Sequence, residues 1–285
     1  MAARIISLAP TYASDAEFRA WGKAVSDAFA AGGWVQTSDT GQINWATVSR
    51  PPSTSTVQGY EIWRMDDAAG GLHNAYIKID YGSSSSFNSP GIGVQIGWGS
   101  NGSGALTGNT NTRQIITIGA SATSTTYPSL FSVGAGYACF MLFSSYASGG
   151  MLFSIERTRD ATGAVEDQVF VFGQGYNSSG QWSQTVPLSG TASTVNTLDL
   201  NNGGGMRKVA NATATYSGSI GLSTIAPQKG GWLMEAMNLF GGDSTNYNAF
   251  QQQYSIMVYG STHNYIVAST TNVLTTGVNP LMRYE

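Results

Sequence analysis

Residues 59–82 alternate side chains at a period of two on both sides of a turn, and that pattern commits the chain to a sheet. In the outgoing half Tyr60, Ile62 and Arg64 fall on one face, and Glu61, Trp63 and Met65 on the other. In the return half Ile77, Ile79 and Tyr81 share a face opposite Tyr76, Lys78 and Asp80. Residues 66–71 between them hold two Asp and two Gly, which tolerate left-handed backbone angles. The segment predicts a β-hairpin whose aromatic and β-branched side chains suit a pleated, half-buried surface.

The rest of the chain continues in the same material. Ile92, Val94, Ile96 and Trp98 alternate with Gly93, Gln95 and Gly97, so this strand has an almost bare second face open to close packing. Residues 34–45 predict a strand, a turn at 39–41 and a second short strand. Pro51 and Pro52 mark a loop or an edge. Residues 113–119 predict a strand between loops at 100–112 and 121–129. Segments 137–146, 151–157 and 165–172 predict a meander with turns at 149–150 and 160–163, its first strand apolar on both faces. Residues 173–205 are poor in apolar side chains and predict a long loop excursion. Two short strands are expected within 206–222. Residues 232–240 fit both periods and are read as a strand, and 254–259 and 265–268 as a pair about a turn near 262–264. About a dozen strands separated by turn signals point to a mainly β fold. We expect an antiparallel β sandwich or jelly-roll-like domain over 34–285.

Residues 1–33 supply an N-terminal arm, 1–13, and the one helix. Ser14 lies three residues before Glu17, the capping-box spacing, and Phe18, Trp21, Val25 and Phe29 recur as one apolar stripe. Gly32 and Gly33 are expected to end the helix as left-handed caps. A stripe this rich in aromatics either packs flat on the sheet or docks on a neighbouring subunit.

Only 10% of residues are charged, against about 25% in an average globular chain. Gly, Ser, Thr and Asn take their place, while 41% apolar residues still permit a large core. A net charge of -3 offers no footprint for nucleic acid or an anionic membrane surface. No apolar run nears the roughly 20 residues that insert across a bilayer. The apolar core of the first eight residues is too short for a secretory leader, so synthesis in a cytoplasm is expected. The single cysteine, Cys139, allows no internal disulfide and reads as a small buried hydrophobe.

Motifs for chemistry are sparse. His73 and His263 stand apart, with only Asp66 and Asp67 near His73, and a turn that uses Asp for its own backbone is a blander reading than weak calcium binding. Residues 97–102 match Gly-x-Gly-x-x-Gly, but a polar loop follows where a phosphate site needs a helix start. Glu61, Asp80, Glu156 and Glu235 lie on expected strands, where glycosidase carboxylate pairs are held. Cross-strand pairing with Arg64, Lys78 and Arg157 is the simpler role. Trp98, Tyr176 and Trp182 lie in or beside polar loops, placed to stack on a sugar or anchor a subunit contact. No catalytic residue, cofactor or metal site is assigned.

Four runs carry a family resemblance: residues 18–22 (Phe-Arg-Ala-Trp-Gly), 33–45 (opening Gly-Trp-Val-Gln), 59–65 (Gly-Tyr-Glu-Ile-Trp-Arg-Met) and 76–82 (Tyr-Ile-Lys-Ile-Asp-Tyr-Gly). Together they resemble tailed-bacteriophage virion structural proteins of the tail and fibre type, and the closing residues 279–285 are similar in style. The resemblance covers roughly the first third of the chain and carries no catalytic motif. It implies a role in the virion particle without fixing which part of it. We expect a tail component (fibre, baseplate or neck) that assembles with its own copies, as a trimer or ring by the symmetry of closed oligomers, and with sister particle proteins. The candidate contacts are the arm, Phe18, Trp21, Val25 and Phe29 of the helix, and Trp182 in the excursion. The alternative expectations are a host-glycan-binding module at a fibre tip and a polysaccharide depolymerase.

Overall fold

The computed structural model describes the backbone at 2–6, 14–52, 57–67, 74–83, 90–107, 114–117, 129–145, 149–159, 165–176 and at the later strands named below. Side chains are described mainly within 14–52, 57–67, 74–82, 92–107, 131–139, 154–157 and 261–265, and at 255, 257 and 283.

The chain opens with β1 (Ala2–Ile6) and α1 (Asp15–Ala31), followed by β2 (Val35–Gln36), β3 (Val57–Arg64), β4 (Tyr76–Ser83) and β5 (Pro90–Gly97). Next come β6 (Gly99–Ser100), β7 (Leu106–Thr107), β8 (Gln114–Thr117), β9 (Ser129–Gly134), β10 (Tyr137–Ser145), β11 (Gly149–Arg159) and β12 (Val165–Tyr176). The short β13 (Trp182–Ser183), β14 (Asn196–Leu198), β15 (Met206–Lys208) and β16 (Ala212–Tyr216) lead to the long β17 (Gly218–Lys229). Finally come β18 (Trp232–Leu233), β19 (Leu239–Asp243), β20 (Gln253–Val258), β21 (Ser261–Val267) and β22 (Val278–Arg283).

The fold is mainly β, in antiparallel sheets, with α1 as the one helix among the described residues. One sheet of five strands runs β2-β3-β4-β5-β8. A seven-stranded sheet runs β1-β9-β10-β11-β12-β13, with β14 also on β12. An eight-stranded sheet runs β15-β17-β19-β22-β21-β20, with β16 and β18 also on β17.

The predicted hairpin is β3–β4, and its register sets Glu61 opposite Ile79 and Trp63 opposite Ile77. Tyr81, Ile79 and Ile77 in turn face Ile92, Val94 and Ile96 of β5. Glu61, Trp63 and Met65 thus share one buried face with six residues of β4 and β5, and that face receives the helix. Phe29 stacks on Trp63 with ring centroids 5.6 Å apart, and Trp21 meets Tyr81 edge-on at 6.1 Å. The helix also packs on the seven-stranded sheet, where a Cβ at Gly32 would overlap Val133 of β9. Phe131, Val133, Ala138 and Ile155 of that sheet join the helix and the hairpin in one core.

Local rules account for the helix ends. Ser14 Oγ accepts from the Glu17 backbone N–H at 3.2 Å. Gly33 has φ +87°, the left-handed angle expected at this end, whereas Gly32 stays right-handed at φ -77°. The chain turns there, so that Trp34 Nε1 donates to Gly134 O at 2.9 Å.

Several expectations need correction. Residues 2–6 of the expected extended arm form a strand that pairs with β9, Ala2 opposite Val133. Beyond β2 the segment 34–45 contains no second strand. Residues 100–112 hold the small β6–β7 hairpin, and Gly97 lies close under it, where a Cβ would come within 2.9 Å of Thr107 O. Gly149 and Gly150 lie inside β11 and not in a turn. The excursion 173–205 begins within β12, and β13 and β14 both pair back on β12. Thr262–Asn264 lie within β21 and not at a turn. The meander β10-β11-β12 is as predicted. The expected turns at 68–71 and 160–163 and the loop at 121–128 lie outside the described residues.

Gly22 gives a direct test of the helix seat, because a Cβ there would overlap the Trp45 indole. That ring is held edge-on to Tyr81 at 4.8 Å and to Phe18 at 5.5 Å, and cannot easily retreat. Helix propensity alone would make Gly22→Ala stabilising by about 1 kcal/mol. Overpacking costs about 1–3 kcal/mol and should outweigh it. We expect net destabilisation in urea unfolding, and a stabilised variant would show that the ring is not held.

Candidate functional site

The polar chemistry of the described residues lies mostly inside the molecule. Glu61 is 1% exposed at the centre of the helix–sheet core. Its Oε1 accepts from Trp45 Nε1 at 2.9 Å. Its Oε2 accepts from Tyr81 OH at 2.7 Å and Trp63 Nε1 at 3.3 Å. Ser26 of α1 is a fourth side-chain partner. Burial pushes the Glu61 carboxyl above its ordinary range, and the donors oppose that shift without cancelling it. The expected cross-strand cation is not among these partners. Four neutral donors on four segments take its place.

A second tie joins the sheets. Arg157 of β11 forms a two-pronged ion pair with Asp67, Nε to Oδ2 at 2.9 Å and Nη2 to Oδ1 at 3.0 Å. The two side chains are 2% and 8% exposed. Asp67 follows the end of β3, so the hairpin of one sheet is clamped to an inner strand of another. Its neighbour Asp66 pairs with Arg64 at 3.0 Å. Both carboxylates of the expected turn therefore serve arginines.

The opposite face of the seven-stranded sheet carries buried Ser132, Tyr137, Cys139, Ser154 and Glu156. Cys139 Sγ lies 2.8 Å from Ser154 Oγ. Arg283 of β22 places its guanidinium 5.8 Å from the Tyr137 ring centroid, and Tyr265 of β21 is fully buried. Glu156 and Arg283 act with opposite sign on Tyr137, Cys139 and Tyr265, so two sheets meet around this cluster. Burial pushes the Cys139 thiol well up, which makes it a poor nucleophile.

The outer face of the hairpin bears a polar assembly near solvent. Asp39 accepts from Ser100 Oγ, from Thr37 Oγ1 at 2.6 Å and from Gly104 N at 3.0 Å. Burial raises its pKa, but these hydrogen bonds outweigh burial and hold it below the ordinary value. Lys78 donates to Gly104 O at 2.7 Å, lies 3.6 Å from Asp80 and sits over the Tyr60 ring at 4.5 Å. Tyr60 OH donates to Thr40 O. These groups pin the loop at 39–41 and the β6–β7 hairpin onto the sheet.

The structure puts Phe18, Trp21, Val25 and Phe29 inside the subunit. As subunit contacts they are corrected, because both flanks of the helix are covered by the chain's own sheets. Trp182 lies on β13 opposite Tyr176, and the side chains of both are outside the described residues, as are those of Glu235 and His73. Trp98 packs half-buried on the core and is no open platform. The glycine-rich run 97–102 leads into a β-hairpin, so its helix condition fails. Asp80 and Glu156 are buried and engaged with other groups. Among the described residues no group of three His, Cys, Asp or Glu could hold a metal ion, and no helix is long and apolar enough to cross a membrane.

Pattern reading missed the partners more than the residues. Ser26 falls on the polar side of the stripe, and Arg157 is 90 residues from Asp67. Only the clustering of Thr37, Asp39 and Gly41 hinted at an organised turn. No protein family, curated protein or solved structure matches this chain.

The raised Glu61 carboxyl sets a pH dependence. The folded state holds its proton more tightly than the unfolded chain, whose group titrates near the ordinary 4.5. Stability from this group is present below 4.5 and declines as pH rises to the folded value, then levels off. Glu61→Gln should remove that decline and cost about 1–3 kcal/mol, because an amide N–H₂ must face a donor. Urea unfolding across pH measures both, and parallel profiles would refute the assignment.

For the clamp, Asp67→Ala should cost about 3–5 kcal/mol by leaving Arg157 buried without its partner. The double variant Asp67→Leu with Arg157→Met should recover most of that loss. Additive losses in the double-mutant cycle would mean that the pair is not coupled.

Proposed function

We propose that this chain is a structural component of a tailed-bacteriophage virion, in the tail, and works by assembling with its own copies and sister particle proteins. The observation that carries the reading is an uncharged outer strand. Among the described residues β20 is the last strand of the eight-stranded sheet, and Met257 on it is 72% exposed. Residues 244–282 contain no Asp, Glu, Lys or Arg. Sheet edges of proteins that stay apart are commonly blunted by charge, proline or a bulge. β20 has none of these, and its ladder to β21 runs without a register shift.

The buried ties add support. The described strand carboxylates Glu61, Asp80 and Glu156 are buried and engaged within the fold. They stiffen the subunit, as a load-carrying building block requires. The resembling runs 18–22, 33–45, 59–65 and 76–82 contribute eight of the nineteen buried core residues, among them Phe18, Trp21, Trp63 and Tyr81. The likeness thus falls on the scaffold, which is where a shared structural role leaves its trace.

Antibodies raised against the purified protein should label the tail of the parent phage in negative-stain electron microscopy. The chain should also appear in digests of purified particles. Unlabelled particles from which the chain is missing would end the reading.

A further inference from the structure

We infer that β20 is a self-association edge, pairing antiparallel with β20 of a second copy so that the two eight-stranded sheets become continuous. The inference rests on the assembly reading above and names the surface. Among the described residues β20 has β21 as its single ladder neighbour, with Gln253 opposite Ile266 through to Val258 opposite Ser261. Alternate residues of such a strand turn their backbone N–H and C=O groups outward, a template for another strand.

The side chains favour a second copy as the occupant. Ser255 and Met257 lie on the same face as Asn264 and Thr262, and this face is open to solvent at Met257 and Thr262. In sequence Tyr254, Ile256 and Val258 alternate with these two, and the backbone register sets position 254 opposite the fully buried Tyr265. A partner strand must repeat this division, apolar on one face and uncharged on the other, or it would place a charge beside an uncharged rim. The same strand from a second copy meets that requirement. Antiparallel pairing is itself two-fold symmetric, so one strand can serve as both halves of a closed contact. Residues directly opposite point to the same face, so face continuity requires the axis to pass through a residue. An axis at Ile256 uses the strand most fully. It sets Ser255 opposite the partner copy's Met257, and Tyr254 opposite its Val258. A six-residue edge is a small contact, so association should depend on concentration.

The test is a charge exchange on the exposed face, read by sedimentation and light scattering over a concentration series. The wild-type chain should reach at least twice its 30.0 kDa mass. The double variant S255K/M257K sets Lys opposite Lys at both positions and should halve the mass. S255E/M257K sets Glu opposite Lys twice and should restore it. Both variants lose the Ser255–Asn264 hydrogen bond, so matched thermal melts of the two separate misfolding from lost association. An oligomer unaffected by S255K/M257K would overturn the β20 edge and leave the assembly reading standing. A wild-type chain that stays monomeric throughout would overturn both, and failure of S255E/M257K to regain mass while folded would overturn the Ile256 axis.

Discussion

Glu61 sits where four segments converge. It is 1% exposed and cut off from bulk solvent, so its position depends on donors from Ser26, Trp45, Trp63 and Tyr81. An acceptor with no protein donors in such a place would cost several kcal/mol. Here the cost of burial is offset only when the helix, the segment after it and both arms of the hairpin are in register. The carboxylate therefore specifies geometry more than it adds net stability. Around it the rings of Trp45, Tyr81 and Phe18 meet edge to face, and Phe29 stacks on Trp63. Aromatic contacts of this kind fix orientation as well as bury area.

The other buried polar groups act similarly at longer range. Asp67 and Arg157 lock the hairpin to the meander, and Arg283 carries the last strand to the Tyr137 face. Each joins layers that apolar packing alone would allow to slide. Hydrophobic contact is non-directional, whereas a two-pronged Arg–carboxylate pair has a required distance and plane. The small charged fraction of the chain is thus partly used in making one arrangement of sheets unique.

Much of this was legible beforehand, for definite reasons. The hairpin, the helix and the meander announce themselves because one face of each is buried, and burial writes a period into the sequence. Ser14, Glu17 and Gly33 mark the helix ends because their roles are local. What could not be read was whatever depends on distant partners or on backbone pairing alone. β13 and β14 ride on β12 through main-chain bonds with little apolar pattern of their own. The stripe Phe18, Trp21, Val25 and Phe29 shows that a covering surface exists, but its amino acids are the same whether that surface belongs to this chain or to another. Likewise the sequence holds Glu61 and its indoles without saying that they touch.

The pairing of β1 with β9 has a consequence for synthesis. Ala2 reaches its neighbour, Val133, only after well over a hundred further residues have been made. The hairpin can cover the aromatic stripe early, but the flank of the helix that packs on that same strand must wait uncovered while the ribosome continues. Contacts so distant along the chain slow productive collapse and lengthen the interval in which sticky surface is shown. The strand and helix that precede the hairpin are thus made well before the strand that completes their packing.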